Sequence, residues 1–286
     1  MPCGATAGAA LKAPSDYAND PIVTGPVSLK FISSRDNPLF KTLKKLGTSA
    51  RERKKSACTL IDGEHLLTAY LDSIGSPQTI VVSTAAAPQP TIQALLRRAP
   101  GALLAEMPEP LFRELAPVQA PTGILALVKI PDVAATAATD FCLFLEDIQD
   151  PGNLGSILRS AAAAGAGIAY LSAQCADAWS PKVLRAGMGA HFLLAIRENA
   201  DLAAVAAEFP GTVVAAGLHA TKSLYDLDLG GAVAFVIGNE GAGVSAQLWQ
   251  AAHEKITIPM PGRMESLNAA AAAAVCCFER VRQRGS

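Results

Sequence analysis

The stretch Phe235-Val236-Ile237-Gly238-Asn239-Glu240-Gly241-Ala242-Gly243-Val244 passes abruptly from an apolar run to a turn holding three glycines. A short apolar run with no alternating polar positions reads as a strand covered on both faces. Such strands belong to mostly parallel sheets, and ligands bind open α/β sheets beyond the carboxyl ends of the strands. Glycines at that place let a ligand approach bare backbone. A side chain at Gly238 is therefore expected to intrude on ligand space. Glu240 is either exposed by accident or aimed at a site. The glycine order, G-x-x-G-x-G, reverses the dinucleotide fingerprint, and no Lys stands beside the turn as a phosphate loop would need.

Working outward, similar apolar runs at 141–146, 168–171, 192–196, 212–216, 233–237 and 255–258 read as strands. Helical spacing fills the gaps at 154–164, 181–188, 202–208 and 245–252, and a long helix is expected from Ser266 to about Arg282. The first half alternates in the same way. Helical stretches at 37–46, 64–71, 91–98 and 110–115 are interleaved with strands at 58–61, 79–83, 102–106 and 123–130, which predicts a smaller α/β sandwich. Residues 1–27 lack apolar period and read as a disordered tail. Residues 131–140 read as a linker between domains at 28–130 and 141–286.

Two further segments follow strands and combine Gly or Pro with polar groups. Glu146-Asp147-Ile148-Gln149-Asp150-Pro151-Gly152-Asn153-Leu154-Gly155 runs into a helix carrying Arg159. Asn153 is a natural N-cap. Arg159 follows Ile157 and Leu158 and precedes an Ala-rich run, and a charge among apolar neighbours usually has a partner or a task. The other segment is Ile258-Pro259-Met260-Pro261-Gly262-Arg263-Met264-Glu265-Ser266-Leu267-Asn268. Ser266 reads as a cap of the last helix, whereas Asn268 has weak intrinsic helix preference and invites a side-chain role.

Composition narrows the classes. Of 286 residues, 50% are hydrophobic, enough for two cores, yet no run approaches the ~20 apolar residues of a membrane span. The start lacks a secretory pattern, so a cytoplasmic protein is expected. The six cysteines form no C-x-x-C pair and no zinc-ligand spacing, so no metal is expected. The net charge of −1 conceals an asymmetry: residues 1–132 carry 14 Lys/Arg against 11 Asp/Glu, and the remainder carries 10 against 14. Lys41, Lys44, Lys45, Arg51, Arg53, Lys54 and Lys55 crowd into fifteen residues opposed only by Glu52. Such a cluster can neutralise phosphates, or it is simply a solvated helix face.

Taken together, the three segments resemble the motifs of the SpoU/TrmH family of RNA ribose 2′-O-methyltransferases, in the SPOUT superfamily. The matches are D-x-x-x-P-G-N-x-G-x-x-x-R from Asp147 to Arg159, I-G-N-E-G-x-G from Ile237 to Gly243, and I-P-M-x-G-x-x-x-S-L-N from Ile258 to Asn268. Ser180-Pro181-Lys182-Val183-Leu184-Arg185-Ala186 resembles the family's middle helix. Ile32-Ser33-Ser34 with Asn37-Pro38, the basic run, and Ile61-Asp62-Gly63-Glu64 resemble its substrate-binding domain. The resemblance implies a parallel sheet with a C-terminal trefoil knot, and S-adenosylmethionine held by Leu218, Gly238, Ile258, Met260 and Leu267. It also implies catalytic roles for Asn153, Arg159, Glu240, Ser266 and Asn268, a homodimer, and RNA as partner, ribosomal rather than transfer RNA. Two other readings are a degenerate member that only binds RNA and a nucleotide-dependent enzyme. The intact polar positions count against the first, and the missing Lys against the second.

Overall fold

The computed structural model describes residues 27–116, 121–135, 140–218 and 220–285. The expected tail up to residue 26 and positions 136–139 of the expected linker lie outside the described residues. The first domain contains β1 (Lys30–Phe31), α1 (Pro38–Thr48), α2 (Ala50–Ser56), β2 (Cys58–Asp62), α3 (Glu64–Ser73), β3 (Thr79–Ser83), α4 (Pro90–Arg97), β4 (Leu103–Met107), α5 (Glu109–Leu115) and β5 (Ile124–Lys129). Its sheet runs β1-β4-β3-β5-β2, with β5 antiparallel to both neighbours.

The second domain follows with β6 (Phe141–Leu145), α6 (Pro151–Ala163), β7 (Ile168–Leu171), α7 (Pro181–Gly187), β8 (Ala195–Arg197), α8 (Leu202–Glu208) and β9 (Thr212–Ala216). It ends with β10 (Lys222–Ser223), β11 (Val233–Ile237), α9 (Ala246–Ala251), β12 (Glu254–Thr257) and α10 (Ala269–Arg284). Its seven strands are ordered β10-β12-β9-β11-β6-β7-β8, and every pair is parallel. The central strands explain their unbroken apolar sequence. Phe141, Leu143 and Leu145 of β6, with Val233, Phe235 and Ile237 of β11, join the core that contains Leu154, Leu158, Val183 and Cys276. The alternate residues Cys142, Phe144, Ala234 and Val236 pack into a separate core with Leu202, Ala206 and Leu248. Successive residues point to opposite faces, so a strand covered on both has no place for a polar side chain.

Three local expectations are corrected. Helix α6 is capped by Asp150, whose Oδ1 accepts the Asn153 N–H at 2.7 Å, with Pro151 at the first helical position. Asn153 is thereby released from capping. Helix α10 is capped by Asn268 rather than Ser266, its Oδ1 accepting the amides of Ala270 and Ala271 at 2.9 and 3.3 Å. The strand expected at 192–196 begins only at Ala195, opposite Ile168, because residues 190–192 form a 3₁₀ turn after Gly189.

Helices α6 and α7 touch almost backbone to backbone, and Gly155 permits it. A Cβ there would lie 2.5 Å from both the Val183 carbonyl oxygen and the Ala186 Cβ. Intrinsic helix preference alone would have Ala stabilise α6 by about 1 kcal/mol relative to Gly, whereas overpacking a fixed contact costs roughly 1–3 kcal/mol. The clash wins because its neighbours are main chain and a packed Cβ. Gly155→Ala is expected to destabilise the protein by about 1–2 kcal/mol in urea unfolding; an unchanged or increased stability would show that the helices can separate freely.

Candidate active site

The four loops that matter leave the carboxyl ends of adjacent strands, in the order β12, β9, β11, β6. The loops after β9, β11 and β12 line a cleft of about 220 Å³ with Leu218, Gly238, Glu240, Ile258, Met260, Ser266 and Leu267 among its walls, and the loop after β6 is bonded to it through Glu240. All five residues expected to hold a cofactor therefore meet around one cavity, with Glu240 and Ser266 beside them. Ile237 forms part of its floor, and Leu218 and Leu267 are exposed large apolar side chains at its wall.

The turn after β11 is closed on itself. Asn239 and Gly243 exchange backbone hydrogen bonds of 3.0 and 2.9 Å, and Asn239 Oδ1 accepts the amides of Gly241 and Ala242, both at 2.9 Å. Glu146 fixes the far side by accepting the Ser245 amide at 2.8 Å. A Cβ on Gly238 would lie 2.3 Å from the Gly243 carbonyl carbon and 2.4 Å from the Val244 nitrogen. The expectation that this Cβ would intrude on ligand space is corrected: it meets the turn's own main chain first. Gly238 is glycine so that the turn can fold over it.

Glu240 joins the loops. Its carboxylate accepts the amides of Gln149 and Asp150 at 3.3 and 3.2 Å and Asn153 Nδ2 at 3.0 Å. Asn153 Oδ1 in turn accepts Asn268 Nδ2 at 2.9 Å. One chain of hydrogen bonds thus connects the turn after β11, the first turn of α6 and the cap of α10. Burial alone would raise the Glu240 carboxyl. The hydrogen bonds from Asn153 and from the amides at 149 and 150 nevertheless hold it below its ordinary value.

Sequence reasoning passed over the support of this cluster. Asp147 sits at φ +54°, a region few non-glycine residues adopt, and Ser172 holds it there. The Ser172 hydroxyl accepts the Asp147 amide at 2.9 Å and donates to Asp147 Oδ1 at 2.5 Å, and the Asp147 carbonyl accepts Asn239 Nδ2 at 2.8 Å. Asn239 within a Gly-rich turn was a readable signal. Ser172, on a different strand's exit, carried none.

Arg159 stands apart. Like Asn153 and Asn268 it lies outside the cleft lining, but unlike theirs its side chain, exposed on α6, makes no hydrogen bond or ion pair among the described residues. In the basic run, Lys45, Arg51, Lys54 and Lys55 are exposed on α1 and α2, Lys41 pairs with Asp36 at 2.9 Å, and Lys44 donates to the Glu114 carbonyl. Arg53 is the exception and is corrected: it is 4% exposed and bonded to Asp177 of the second domain, so it does not belong to the cationic face. Cys58, Cys142, Cys276 and Cys277 are buried free thiols, raised by burial where they are shifted.

Comparison with known proteins gives the arrangement a context. Residues 140–278 match the SpoU rRNA Methylase family, and residues 37–126 match the MRM3-like substrate binding domain. The chain is 32% identical over 256 residues to the 23S rRNA (guanosine(2553)-2′-O)-methyltransferase of Bacillus subtilis, covering 87% of this chain and 98% of that one. The SpoU methyltransferase AviRb of Streptomyces viridochromogenes, solved with AdoMet, superposes with a TM-score of 0.78 at 28% identity, covering 87% of this chain and 99% of the other. An AdoMet-bound rRNA methyltransferase from Sinorhizobium meliloti superposes with a TM-score of 0.76 at 27% identity, covering 89% and 98%.

The lowered Glu240 carboxyl carries a pH dependence of definite sign. Its contribution to stability is fully present above the unfolded value, about 4.5, and is lost as pH falls through the lower folded value. Glu240→Gln removes this ionisation. The gap in unfolding free energy between wild type and variant should stay constant from about pH 6 to pH 8 and shrink below about pH 4.5. A gap that is the same at both ends of a urea-unfolding pH series would show that the carboxylate charge holds nothing together.

Proposed function

We propose that this chain, which belongs to the SpoU rRNA methylase family, transfers the methyl group of S-adenosylmethionine to a ribose 2′-hydroxyl of ribosomal RNA. The observation that carries the reading is that two separated motifs line one cleft and the third is tied to them by the Glu240–Asn153–Asn268 chain. The cleft suits the cofactor chemically. Apolar walls from Leu218, Ile258, Met260 and Leu267 accept the adenosyl and methionyl carbons, while the exposed main chain of the glycine turn offers polar backbone groups without side-chain obstruction. S-adenosylmethionine, when bound, supplies a methyl group already activated on sulfur.

The chain's own residues have to orient the hydroxyl in line and let its proton leave. Glu240 is a poor candidate for the base, because its carboxylate is occupied by three donors and held ionised by them. We assign it, with Asn153 and Asn268, to holding the loops and the ribose, and Ser266 to the cleft wall beside them. A guanidinium with pKa above about 12 does not serve as a free base. Arg159 is therefore read as a clamp for substrate phosphate and a stabiliser of developing negative charge.

The enzyme is read as a cytoplasmic homodimer, with the trefoil knot of its family formed by the segment after β12. Phe278 and Val281 are exposed apolar side chains on α10, which packs beside α6, and a second copy would cover them. Arg159, exposed on α6 and without a hydrogen bond or ion pair among the described residues, is then assigned to the cleft of the second copy.

Calorimetric titration with S-adenosylmethionine, NAD and ATP, followed by mapping of 2′-O-methylation on a large-subunit rRNA transcript, tests the activity directly. Binding of NAD or ATP in preference, or methylation on a base, would overturn it. Arg159→Ala should lower methyl transfer by at least about 100-fold while cofactor affinity stays within two-fold. Mixed with an inactive Asn268→Ala protein, it should regain activity, since one hybrid cleft is intact. Turnover close to wild type in the variant alone would remove Arg159 from the reaction.

The cationic face is tested separately. Reversing Lys45, Lys54 and Lys55 to Glu should weaken RNA binding and flatten its salt dependence, by roughly one unit of logarithmic slope per lost phosphate contact. An unchanged slope would make these lysines a solvated face and nothing more.

A further inference from the structure

Arg53 lies in the middle of the cationic run yet turns inward. It is 4% exposed, and a buried guanidinium needs a partner. Its Nε and Nη2 both donate to Asp177 Oδ2, at 2.9 and 2.5 Å, and Nη1 donates to the Leu46 carbonyl at 2.6 Å. Asp177 Oδ1 is engaged too, accepting the Trp179 amide at 3.0 Å. This pair crosses from α2 of the first domain to the segment that leads into α7 of the second.

The same segment is gripped along its length. Thr59 Oγ1 of β2 donates to the Trp179 carbonyl at 2.6 Å, in a fully buried bond. Arg185 of α7 reaches the buried carboxylate of Asp62 at 3.3 Å. Beyond α7, in the 3₁₀ turn that follows it, Phe192 meets Tyr70 of α3 edge to face at 5.3 Å. From the second domain, Glu198 accepts the Ala178 amide at 3.3 Å and His191 Nε2 donates to the Ala178 carbonyl at 2.9 Å. Residues 177–180 are thus a splice held from both sides, and Ser180 caps α7 at its end. Helix α7 is the one that Gly155 brings against α6, whose first turn carries Asn153.

We propose that the Arg53–Asp177 pair is a positioning element that fixes the first domain on the catalytic domain, making the cationic face of α1 and α2 and the cofactor cleft one rigid RNA platform. The proposal rests on the reading of this chain as an RNA methyltransferase. A single apolar cluster already runs through both domains, joining Ile61, Leu67 and Ile80 to Phe141 and Leu184. Apolar attraction is non-directional, however, and by itself does not select the angle at which two surfaces meet. A buried ion pair contributes little net stability over well-packed apolar residues, but its hydrogen bonds are directional, and in this pair two donors converge on one oxygen while a third holds the Leu46 carbonyl. Here it fixes the helix whose other cations, Arg51, Lys54 and Lys55, face solvent. Arg53 sets where they point and how far they stand from the cleft.

The test uses the full-length protein with Asp177→Asn, Arg53→Lys, and the exchanged pair Arg53→Asp with Asp177→Arg. Three quantities are measured: the number of titratable S-adenosylmethionine sites, the small-angle scattering profile, and the affinity for an in vitro transcript of large-subunit ribosomal RNA. Positioning predicts a full complement of cofactor sites with affinity within two-fold. It also predicts a larger maximum dimension in solution and RNA binding weakened tenfold or more in Asp177→Asn. Methylation should show the loss in KM for RNA with kcat changed less. Arg53→Lys, which keeps the charge, should lie between wild type and Asp177→Asn, and the exchanged pair should recover part of the RNA affinity. A purely structural role would instead lower the number of cofactor sites and leave RNA affinity of the folded fraction untouched. That outcome, or a scattering profile and RNA affinity equal to wild type, overturns the proposal. If Asp177→Asn does not fold, Arg53→Lys is judged by the same three readings. Scattering and RNA binding do not depend on methyl transfer, so an inactive wild type would count against the proposed function alone.

Discussion

Three loops that are up to 119 positions apart in the chain keep one arrangement beside the cleft only if something other than apolar burial fixes their relative places. Glu240 provides that constraint. Its carboxylate takes two amides from the first loop and the side-chain amide of Asn153, which itself takes the side-chain amide of Asn268. Each asparagine uses both ends of its amide: Asn153 donates to Glu240 and accepts from Asn268, and Asn268 donates to Asn153 while its oxygen caps α10. The chain therefore has a single direction, set at one end by an anion and at the other by a helix terminus. Hydrogen bonds to an ionised acceptor are roughly twice as strong as neutral ones, which places the strongest link where the loops from β6 and β11 meet.

The fold makes this chain possible by presenting the loops side by side. Strands β9, β11 and β6 are adjacent and parallel, so their exits emerge at one edge. The turn after β11 folds tightly over Gly238, and Ser172 pins Asp147 in a left-handed conformation that offers its carbonyl to Asn239. Below, the buried Phe235 and Leu143 leave the strands no freedom to shift register. Rigid strands, a self-closed turn and one polar chain divide the work between depth, shape and alignment.

Much of this was written in the sequence, and the parts that were not have identifiable causes. The strand at 233–237 is read correctly because two-sided burial forbids polar residues there, a constraint visible in any short window. The strand expected at 192–196 starts late because the 3₁₀ turn that follows the left-handed Gly189 takes in Phe192 and pairing begins at Ala195, and apolar runs alone do not distinguish turn from strand. Capping at α6 was misplaced by three residues, since Asp150, Pro151 and Asn153 all suit a helix start and only geometry chooses among them. The five cofactor positions, carried by the family resemblance, do line one cleft. Arg53 is the clearest failure: among seven clustered cations, nothing local distinguishes the one that turns inward to meet a carboxylate 124 residues away.

That buried exception bears on how charge is divided between the domains. Residues 1–132 carry net positive charge and the remainder net negative charge, so a polyanion is attracted to the first domain and, at long range, mildly repelled by the second. Attraction to one domain brings RNA close without telling it where the cleft is. If the domains swung freely, each encounter would still have to search orientations before a hydroxyl met the cofactor, and that search is what a fixed geometry removes. In the proposed reading, the catalytic domain can remain acidic overall, with Arg159 as its phosphate clamp, because most of the cations that attract the substrate are carried by a neighbour held in a fixed position. Arg53 gives up a place on the cationic face, and the face gains a defined distance to the chemistry.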